Sequence, residues 1–555
     1  MDFSPRRLAA RVARDRWLLA IAAASLCLNC FHLQWGLPNG NNSWAADANG
    51  PVTVLSVLHH SFSRFNSGWF YFKYPPGYPF ELAAVFAPYL GFLLLTGGWR
   101  NPSSTYPYGF ADAEHSLFVL ALLGRLLSVA FATGTVLLAY GIGRRLFGLF
   151  AARLAACFVA TLYPVVYYAH TTNLDAGYLF WLTLALYAAV VASESERRLP
   201  WAALGMAAAM AVSTKEQGFA FLLPLPLLVV ALRARGAGLV RVIGGAPFWS
   251  MAGAAVLTLA LANNAFFNPY GFVARIAYLI GRPLYPVDAR LAPVEFALFK
   301  GSRELFYLGE LGDCLDSGLG LPLAAAAAAG LALALARNRR AALWLLVPGL
   351  AYYYLSLRGL ELIALRYTLP LLVAASVLAA GVLAALRANE RAGVRLAANL
   401  AAGVLALLGL ARAVELDWLL ANDTRYGAER WLRENTPAGT RGEIYQKPAF
   451  VPRFRDGLAA DFVAMDQRTA AGLLERGPQF VVLSGASRRS ITQRWARDWR
   501  AGGMLTPVPE AVEMLAKIED GSLGYRKAVE FTARPRLFRS RITSLAPRIT
   551  IYVKG

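Results

Sequence analysis

The sequence predicts an α-helical polytopic membrane protein followed by a small α/β domain. Hydrophobic residues make up 57% of the 555 residues and charged residues only 16%, whereas soluble proteins carry about 25% charged residues. Several apolar stretches of about 16 to 24 residues contain almost no charge, which is typical of transmembrane helices. From about residue 413 the composition becomes polar and mixed, which indicates a soluble domain.

The formal net charge of +21 comes mostly from arginine. Loop arginines set membrane orientation, and no basic, aromatic-bearing soluble face accompanies them, so nucleic acid is not an expected partner. The cysteines predict no disulfide framework, and Cys27 and Cys30 lie inside an apolar segment where they act as small apolar fillers.

Charge asymmetry orients the chain. An Arg-rich stretch, 1–16, precedes an apolar run at about 17–34 with no cleavage pattern, so we expect a retained signal anchor and a cytoplasmic N-terminus. The next clear span, about 124–142, ends in Arg144 and Arg145 and therefore runs inward. We interpret 80–96 as a re-entrant or interfacial helix, because a full crossing there would put both arginines outside.

The remaining apolar segments alternate in direction, and the short inside loops carry arginine. The resulting topology has about eleven spans, at 17–34, 124–142, 148–168, 176–193, 200–214, 217–232, 243–262, 318–336, 341–357, 367–386 and 396–411. We predict a transmembrane domain at 1–412, with a first outer loop at 35–123, and an extracytoplasmic domain at 413–555. The expected location is a bacterial inner membrane.

The C-terminal domain is predicted to mix helices and strands, with no catalytic constellation. Its predicted helices lie near 424–435, 487–499 and 508–518, and its predicted strands lie at GEIYQ, at 480–485 and near 525–532 and 548–553.

The topology places several polar islands on the outer face, together with all five histidines. Asp47 lies in the first of them, NGNNSWAADANGP. Two interpretations are open: the carboxylate caps the helix that follows, or it is a base that takes a proton from a substrate hydroxyl.

The KYPPG motif supplies Lys73 and Tyr74. Its prolines start the next helix cleanly, so Lys73 is either an interfacial lysine among aromatic anchors or a phosphate-binding cation at a rigid corner.

A very short turn, HTTNLD, ends at Asp175. Thr and Asn there suit a helix cap, but a carboxylate at membrane depth also indicates a site or a metal ligand.

Three further positions have two interpretations each. Lys215 and Glu216, in STKEQ, either pair with each other or bind substrate, whereas Arg366–Tyr367 and Arg125 are either interfacial anchors or ligand-binding residues. The histidines match no tight metal-ligand spacing.

Together these motifs resemble the glycosyltransferase-C superfamily. The resemblance covers about residues 1–440. The motifs that support it are the acidic first loop, the KYPPG corner, RRLFG, TTNLDA, LTLALY, STKEQG, RYTLPLL and WLRENTPAGT. The pattern is most similar to protein O-mannosyltransferases and lipid A aminoarabinose transferases. The resemblance implies a glycosyltransferase-C-like membrane enzyme that moves a sugar from a polyprenyl-phosphate donor to an acceptor hydroxyl by a single inverting displacement.

The resemblance also implies residue roles. Asp47 matches the catalytic base, Lys73 the residue near the lipid phosphate, Asp175 the second-loop acid, and Arg366 a phosphate ligand. It leaves room for a divalent metal at Asp47 and Asp175, and many relatives have Asp-Glu where this chain has Asp47–Ala48. The implied partners are the lipid-linked donor, a lipid, glycan or protein acceptor, and membrane lipids.

Two other functions are open at this point. A transporter or flippase of lipid-linked sugar would be expected to show repeats and midplane polar residues, which we do not find. A catalytically inactive membrane scaffold is the third alternative.

Overall fold

The computed structural model describes residues 15–39, 43–62, 74–285, 304–360, 363–454, 457–486, 497–498, 503–504 and 509–555. The chain forms two compact units: unit 1 is Met1–Leu33 with Asn49–Val414, and unit 2 is Gln34–Ala48 with Glu415–Gly555. The sequence prediction kept the whole first outer loop in the N-terminal domain. Residues 34–48 instead pack with unit 2, because Trp35 and Trp44 are fully buried there.

Unit 1 is built from helices. In chain order they are α1 (Arg16–Cys30), α2 (Pro51–Ser61), α3 (Gly77–Thr96), α4 (Ala113–Phe147), α5 (Leu149–Ala160), α6 (Tyr163–Ala169), α7 (Asp175–Ala192), α8 (Arg198–Thr214), α9 (Phe219–Leu222), α10 (Pro224–Ala237), α11 (Leu239–Gly244), α12 (Ala246–Ala262), α13 (Pro269–Leu279), α14 (Glu304–Leu319), α15 (Leu321–Arg337), α16 (Arg339–Leu355), α17 (Leu369–Arg387) and α18 (Ala392–Ala421).

Capping chemistry explains several of the helix boundaries. Asp112 caps α4 by accepting a 2.9 Å hydrogen bond from the backbone N–H of His115. Gly148, with φ of +92°, makes the turn between α4 and α5 in a conformation that suits only glycine well. A second sharp bend, of 112°, separates α14 from α15 at Gly320.

Each of the eleven predicted spans overlaps a helix of the described chain. By length and composition, six described helices can cross a membrane, or up to eight if each of two bent pairs is one span. The chain is therefore a multi-pass membrane protein, and eleven crossings remains a prediction. Gly77–Thr96, which we interpreted as re-entrant, is among those six.

Small residues bring the helices of unit 1 together. Gly205 on α8 lies against the backbone of Met251 on α12, and Gly330 on α15 lies against the backbone of Leu378 on α17. Small residues allow such close approach between membrane helices.

Ion pairs join helix ends that are predicted to be cytoplasmic. Asp15 accepts hydrogen bonds from Tyr140 (2.8 Å) and from Arg153 (3.1 Å). Burial alone would raise the pKa of Asp15, but the hydrogen bonds from Arg153 and Tyr140 and the charge of Arg153 lower it. Glu194 pairs with both Arg145 and Arg340.

Unit 2 has a five-stranded mixed sheet and three described helices, which confirms the predicted α/β character. In chain order the elements are α19 (Thr424–Asn435), β1 (Arg441–Ile444), β2 (Ala459–Phe462), α20 (Ala470–Arg476), β3 (Phe480–Ser484), β4 (Arg497–Asp498), β5 (Gly503–Met504), α21 (Pro509–Glu519), β6 (Tyr525–Phe531) and β7 (Ile549–Lys554).

The sheet has strand order β2-β1-β3-β7-β6, with β1 parallel to β2 and β3 and the rest antiparallel. Helix α19 covers one face, whereas α20 and α21 cover the other. The helix predicted near 487–499 falls mainly outside the described residues, and its described part, Arg497–Asp498, is strand β4.

Candidate active site

The HTTNLD turn organises the polar side chains of unit 1. It joins α6 to α7, and its polar residues are buried. Thr171 donates to the carbonyl oxygen of Tyr168 at 3.0 Å, and Asn173 accepts a 3.1 Å hydrogen bond from the backbone N–H of Asp175. Asn173 therefore satisfies the first backbone N–H of α7, whose N-cap residue is Leu174, and the carboxylate of Asp175 bonds elsewhere.

Asp175 forms a buried ion pair with Lys215. The ammonium of Lys215 lies 2.7 Å from Oδ1 of Asp175, and the two side chains are 5% and 1% exposed. The same ammonium lies 4.4 Å from the ring centre of Tyr367 and 5.3 Å from that of Tyr178. Two aromatic rings and one carboxylate thus surround this cation, which is stabilised by charge pairing and by cation–π attraction.

A second cation approaches the same aromatic ring. Arg366 and Tyr367 belong to a 3-10 turn, Leu365–Thr368, that precedes α17. The guanidinium of Arg366 lies 5.1 Å from the ring centre of Tyr367 and donates to its hydroxyl at 3.3 Å. The structure therefore brings Asp175, Lys215, Arg366 and Tyr367, four of the predicted site residues, into one cluster.

Lys215 and Glu216 do not pair with each other, so that interpretation is wrong. The backbone of Lys215 is extended, with φ of −158°, and extended neighbours point their side chains in opposite directions. Glu216 instead pairs with Arg275 on α13, whose side chain is 4% exposed. The two charged residues of the STKEQ turn thus reach two different partners.

Asn49, which lies within the predicted first outer loop, is hydrogen-bonded to the HTTNLD turn. The backbone N–H of Asn49 donates to the carbonyl oxygen of Thr172 at 3.1 Å, and the Thr172 hydroxyl returns a 2.7 Å bond to the carbonyl oxygen of Asn49. On α4, a Cβ added at Gly124 would lie 2.7 Å from the side chain of Thr172. This turn is therefore held from both sides within unit 1.

The KYPPG corner packs against the STKEQ turn. Gly77, the first residue of α3, lies so close to Ser213 that an added Cβ would be 2.5 Å from its carbonyl oxygen. Ser213 is two residues before Lys215 in the chain. Tyr74 is half-buried and packs on the apolar cluster around α3. Lys73 lies outside the described residues.

Replacing Gly77 with Ala is expected to displace the STKEQ turn. The new methyl group would overlap backbone atoms, and overpacking of this kind costs about 1–3 kcal/mol. We expect a lower Tm of the detergent-solubilised protein. The control is Gly91→Ala on the same helix, where an added Cβ meets nothing within 4 Å. Equal Tm values for the two variants would contradict this packing.

Arg125 stabilises the exit of α1. Its guanidinium is 1% exposed and donates to the carbonyl oxygen of Leu33 at 2.6 Å. His170 also contacts the residues that follow α1. Its Nε2 lies 2.7 Å from the carbonyl oxygen of Phe31, and its Nδ1 lies 2.8 Å from that of Val166. Both side chains therefore bond to carbonyl groups near the end of α1, which the sequence did not predict.

Asp47 belongs to unit 2, whereas the Asp175–Lys215 cluster belongs to unit 1. Its side chain is exposed, and its backbone has φ of +62° in a turn closed by a 3.4 Å hydrogen bond from Ala48 N–H to the carbonyl oxygen of Ala45. Few non-glycine residues adopt this conformation, although Asp is enriched among them. Such backbone outliers cluster at functional sites.

The described residues contain no group of three or more His, Cys, Asp or Glu side chains placed to hold a divalent metal. Oδ1 of Asp175 is bonded to the ammonium of Lys215 instead. A lysine ammonium in that position supplies the positive charge that a metal would bring to this carboxylate.

Two residues that contact the predicted site residues were missed from the sequence. Tyr178 lies three residues after Asp175 on α7, so helical spacing alone could have placed it on the same face. Arg275 carried no such signal, because its partner Glu216 is far away in the chain.

A family model described as dolichyl-phosphate-mannose-protein mannosyltransferase matches residues 113–263. The matched segment runs from α4 to α12 and includes Asp175, Lys215 and Glu216. The match confirms the resemblance to protein O-mannosyltransferases over this segment. No protein in the curated set matches the chain significantly.

The solved structures that match the chain are distant in sequence. An oligosaccharyltransferase from Archaeoglobus fulgidus, with a tethered acceptor peptide, is 14% identical, with 91% of this chain and 72% of that chain covered and a TM-score of 0.45. ArnT from Cupriavidus metallidurans, bound to undecaprenyl phosphate, is 12% identical, with 96% and 98% covered and a TM-score of 0.44. The S. cerevisiae Pmt1–Pmt2 protein O-mannosyltransferase complex, bound to the sugar donor, is 17% identical, with 46% and 33% covered and a TM-score of 0.29.

Proposed function

We propose that this chain is a membrane glycosyltransferase that moves a sugar from a polyprenyl-phosphate donor to an acceptor hydroxyl. The observation that carries the proposal is the buried Asp175–Lys215 pair beside Tyr367 and Arg366, inside or near the segment matched by the mannosyltransferase family model. Charged groups at membrane depth are costly and therefore tend to mark functional sites.

The charge of the cluster suits a lipid-linked phosphate. Lys215 and Arg366 contribute two cations, against the one carboxylate of Asp175, so the net charge is positive. Arginine and lysine are the usual phosphate ligands of proteins. We assign donor binding to Lys215, Arg366 and Tyr367, with Asp175 holding Lys215 in place, and to Lys73 and Tyr74 of the KYPPG corner.

The proposed reaction is a single displacement at the anomeric carbon. The carboxylate of Asp47 accepts the proton of the acceptor hydroxyl, and the hydroxyl oxygen bonds to the anomeric carbon while the bond from that carbon to the phosphate oxygen breaks. The electron pair leaves with the polyprenyl phosphate, and the configuration inverts. Cations fixed at the leaving phosphate stabilise the charge that grows there in the transition state.

Glu216 and Arg125 support this site without touching the reacting atoms. Glu216 holds Arg275, and Arg125 holds the end of α1. We also propose a bacterial inner membrane, a cytoplasmic N-terminus and an extracytoplasmic C-terminal unit, in line with the arginine distribution.

Reconstitution into vesicles separates the proposed enzyme from a transporter. We expect purified protein given a polyprenyl-phosphate sugar and a mixture of lipid, glycan and peptide acceptors to release polyprenyl phosphate and to form a sugar–acceptor product seen by mass spectrometry. Movement of intact donor between leaflets without release of polyprenyl phosphate would overturn the proposal in favour of a transporter. Neither activity, with every acceptor class tested, would favour a scaffold.

A further inference from the structure

The segment 34–48 is fastened into unit 2 through two tryptophans. Trp35 and Trp44 are each 0% exposed, and their ring centres lie 6.2 Å apart in an edge-to-face arrangement. Trp35 donates from Nε1 to Asp423 at 3.1 Å. Trp44 lies three residues before Asp47, so whatever holds its ring also limits where Asp47 sits.

Arg425 contacts both the ring and the backbone of Trp44. Its guanidinium is fully buried, pairs bidentately with Asp423 at 2.8 and 2.7 Å, and lies 4.3 Å from the ring centre of Trp44. Its guanidinium also donates to the backbone carbonyl oxygens of Trp44 at 3.3 Å, of Ser544 at 2.9 Å and of Ala449 at 2.5 Å. One arginine thus binds both the ring and the backbone of the loop residue.

Arg453, which pairs with Glu429, also contacts the ring of Trp44. It bonds bidentately to Glu429 at 2.7 and 2.6 Å and lies 4.9 Å from the ring centre of Trp44. It also donates to the carbonyl oxygen of Leu37 at 2.8 Å. Two arginines, each held by a bidentate carboxylate pair, therefore contact Trp44. Together they fix the orientation of the segment 34–48 more firmly than either arginine would alone.

The backbone of the segment 34–48 approaches Trp44 closely at Gly36. Gly36 has φ of +69°, and a Cβ there would lie 2.8 Å from the ring of Trp44, so only glycine suits the position. Its N–H donates to the hydroxyl of Tyr426 at 3.0 Å. Burial raises the pKa of Tyr426, so this hydroxyl stays neutral near neutral pH. The N–H of Ala46, next to Asp47, reaches Ser544 at 3.5 Å.

We propose that Arg425 and Arg453 are positioning residues for Asp47. This inference rests on the proposed function, since it takes Asp47 to be the base. Buried ion pairs add little net stability compared with apolar packing, but they specify geometry. Here the geometry they specify is that of the turn in which Asp47 has φ of +62°.

Arg453→Gln is the variant that tests the proposal, because Arg425 is fully buried and its loss would endanger the fold. We expect kcat for sugar transfer to fall about 10²-fold with the KM for the donor unchanged, since small displacements of a catalytic group have effects of this size. Hydrogen exchange should accelerate in residues 34–48 and stay unchanged in β3.

Arg476→Gln is the matched control in the same unit. Arg476 also pairs bidentately with a buried carboxylate, that of Glu443, and its third hydrogen bond in the described chain goes to the carbonyl oxygen of Gln467. This variant should keep kcat within about 2-fold and leave exchange in the segment 34–48 unchanged, since loss of the pair does not displace the catalytic group.

A tether separates positioning from general damage. In the Arg453→Gln background, a disulfide between Ala46→Cys and Ser544→Cys should restore most of the lost kcat under oxidising conditions, and reduction should remove it again. The proposal is overturned if Arg453→Gln keeps full kcat, if the segment 34–48 shows no faster exchange, or if Arg476→Gln loses as much kcat. If the wild-type protein transfers no sugar, the proposed function fails, and with it the role of Asp47 as the base. In that case faster hydrogen exchange in residues 34–48 of Arg453→Gln still shows that Arg453 holds this segment in place.

Discussion

Asp47→Asn is expected to lower the rate of sugar transfer by about 10²–10⁴-fold, the range that a general base contributes. The amide has nearly the same shape as the carboxylate but cannot accept the acceptor proton. The donor should still bind, because the residues assigned to the lipid phosphate, Lys215 and Arg366, are unchanged.

Folding should survive this substitution, because the side chain of Asp47 is exposed. An unchanged Tm and an unchanged elution volume in size-exclusion chromatography are the controls. Retention of more than about half of the wild-type kcat, where loss of a base predicts at least about 10²-fold, would remove Asp47 from the catalytic role.

Lys215→Met is expected to be the most destabilising of the site substitutions. It leaves Asp175 as a buried carboxylate without the ammonium that lies 2.7 Å away, and breaking a buried pair on one side costs about 3–5 kcal/mol. Asp175→Asn alone should also destabilise, because it leaves the ammonium of Lys215 buried.

The double variant Lys215→Met/Asp175→Asn should recover much of the lost stability, because no uncompensated charge remains. It should not recover sugar transfer, since the phosphate-binding charge of Lys215 is gone. Additive losses in Tm would contradict the pairing, and recovered transfer would make Lys215 a structural residue. Arg233→Met is the matched control, because its partner Glu196 is 82% exposed and surface pairs contribute only about 0–1 kcal/mol.

Periodicity and charge in the sequence predicted the elements that depend on local signals. Helix α19 begins at Thr424 and ends at Asn435, as predicted, because Asp423 caps it and its apolar residues follow helical spacing. Strand β2, Ala459–Phe462, was not predicted, since it is short and largely exposed and therefore lacks an apolar run.

Contacts between distant parts of the chain could not be predicted from local sequence patterns. The segment 34–48 joins unit 2 through Arg425 and Arg453, and neither arginine carries a sequence signal for Trp44. Likewise, neighbouring charges at Lys215 and Glu216 suggested a local pair, but an extended backbone at Lys215 sends the two side chains to different partners. Charge patterns in the sequence therefore pointed to polar segments, whereas the partners of their side chains became visible only in the fold.

The most direct measurement is the anomeric configuration of the transferred sugar. Purified protein is incubated with a polyprenyl-phosphate sugar labelled with ¹³C at the anomeric carbon and with the acceptor identified in the vesicle experiment, and the product is followed by NMR. We predict a labelled sugar–acceptor bond of inverted configuration, formed together with an equal amount of free polyprenyl phosphate. Retention of configuration would contradict the single displacement at Asp47, and absence of any labelled product would contradict the glycosyltransferase itself.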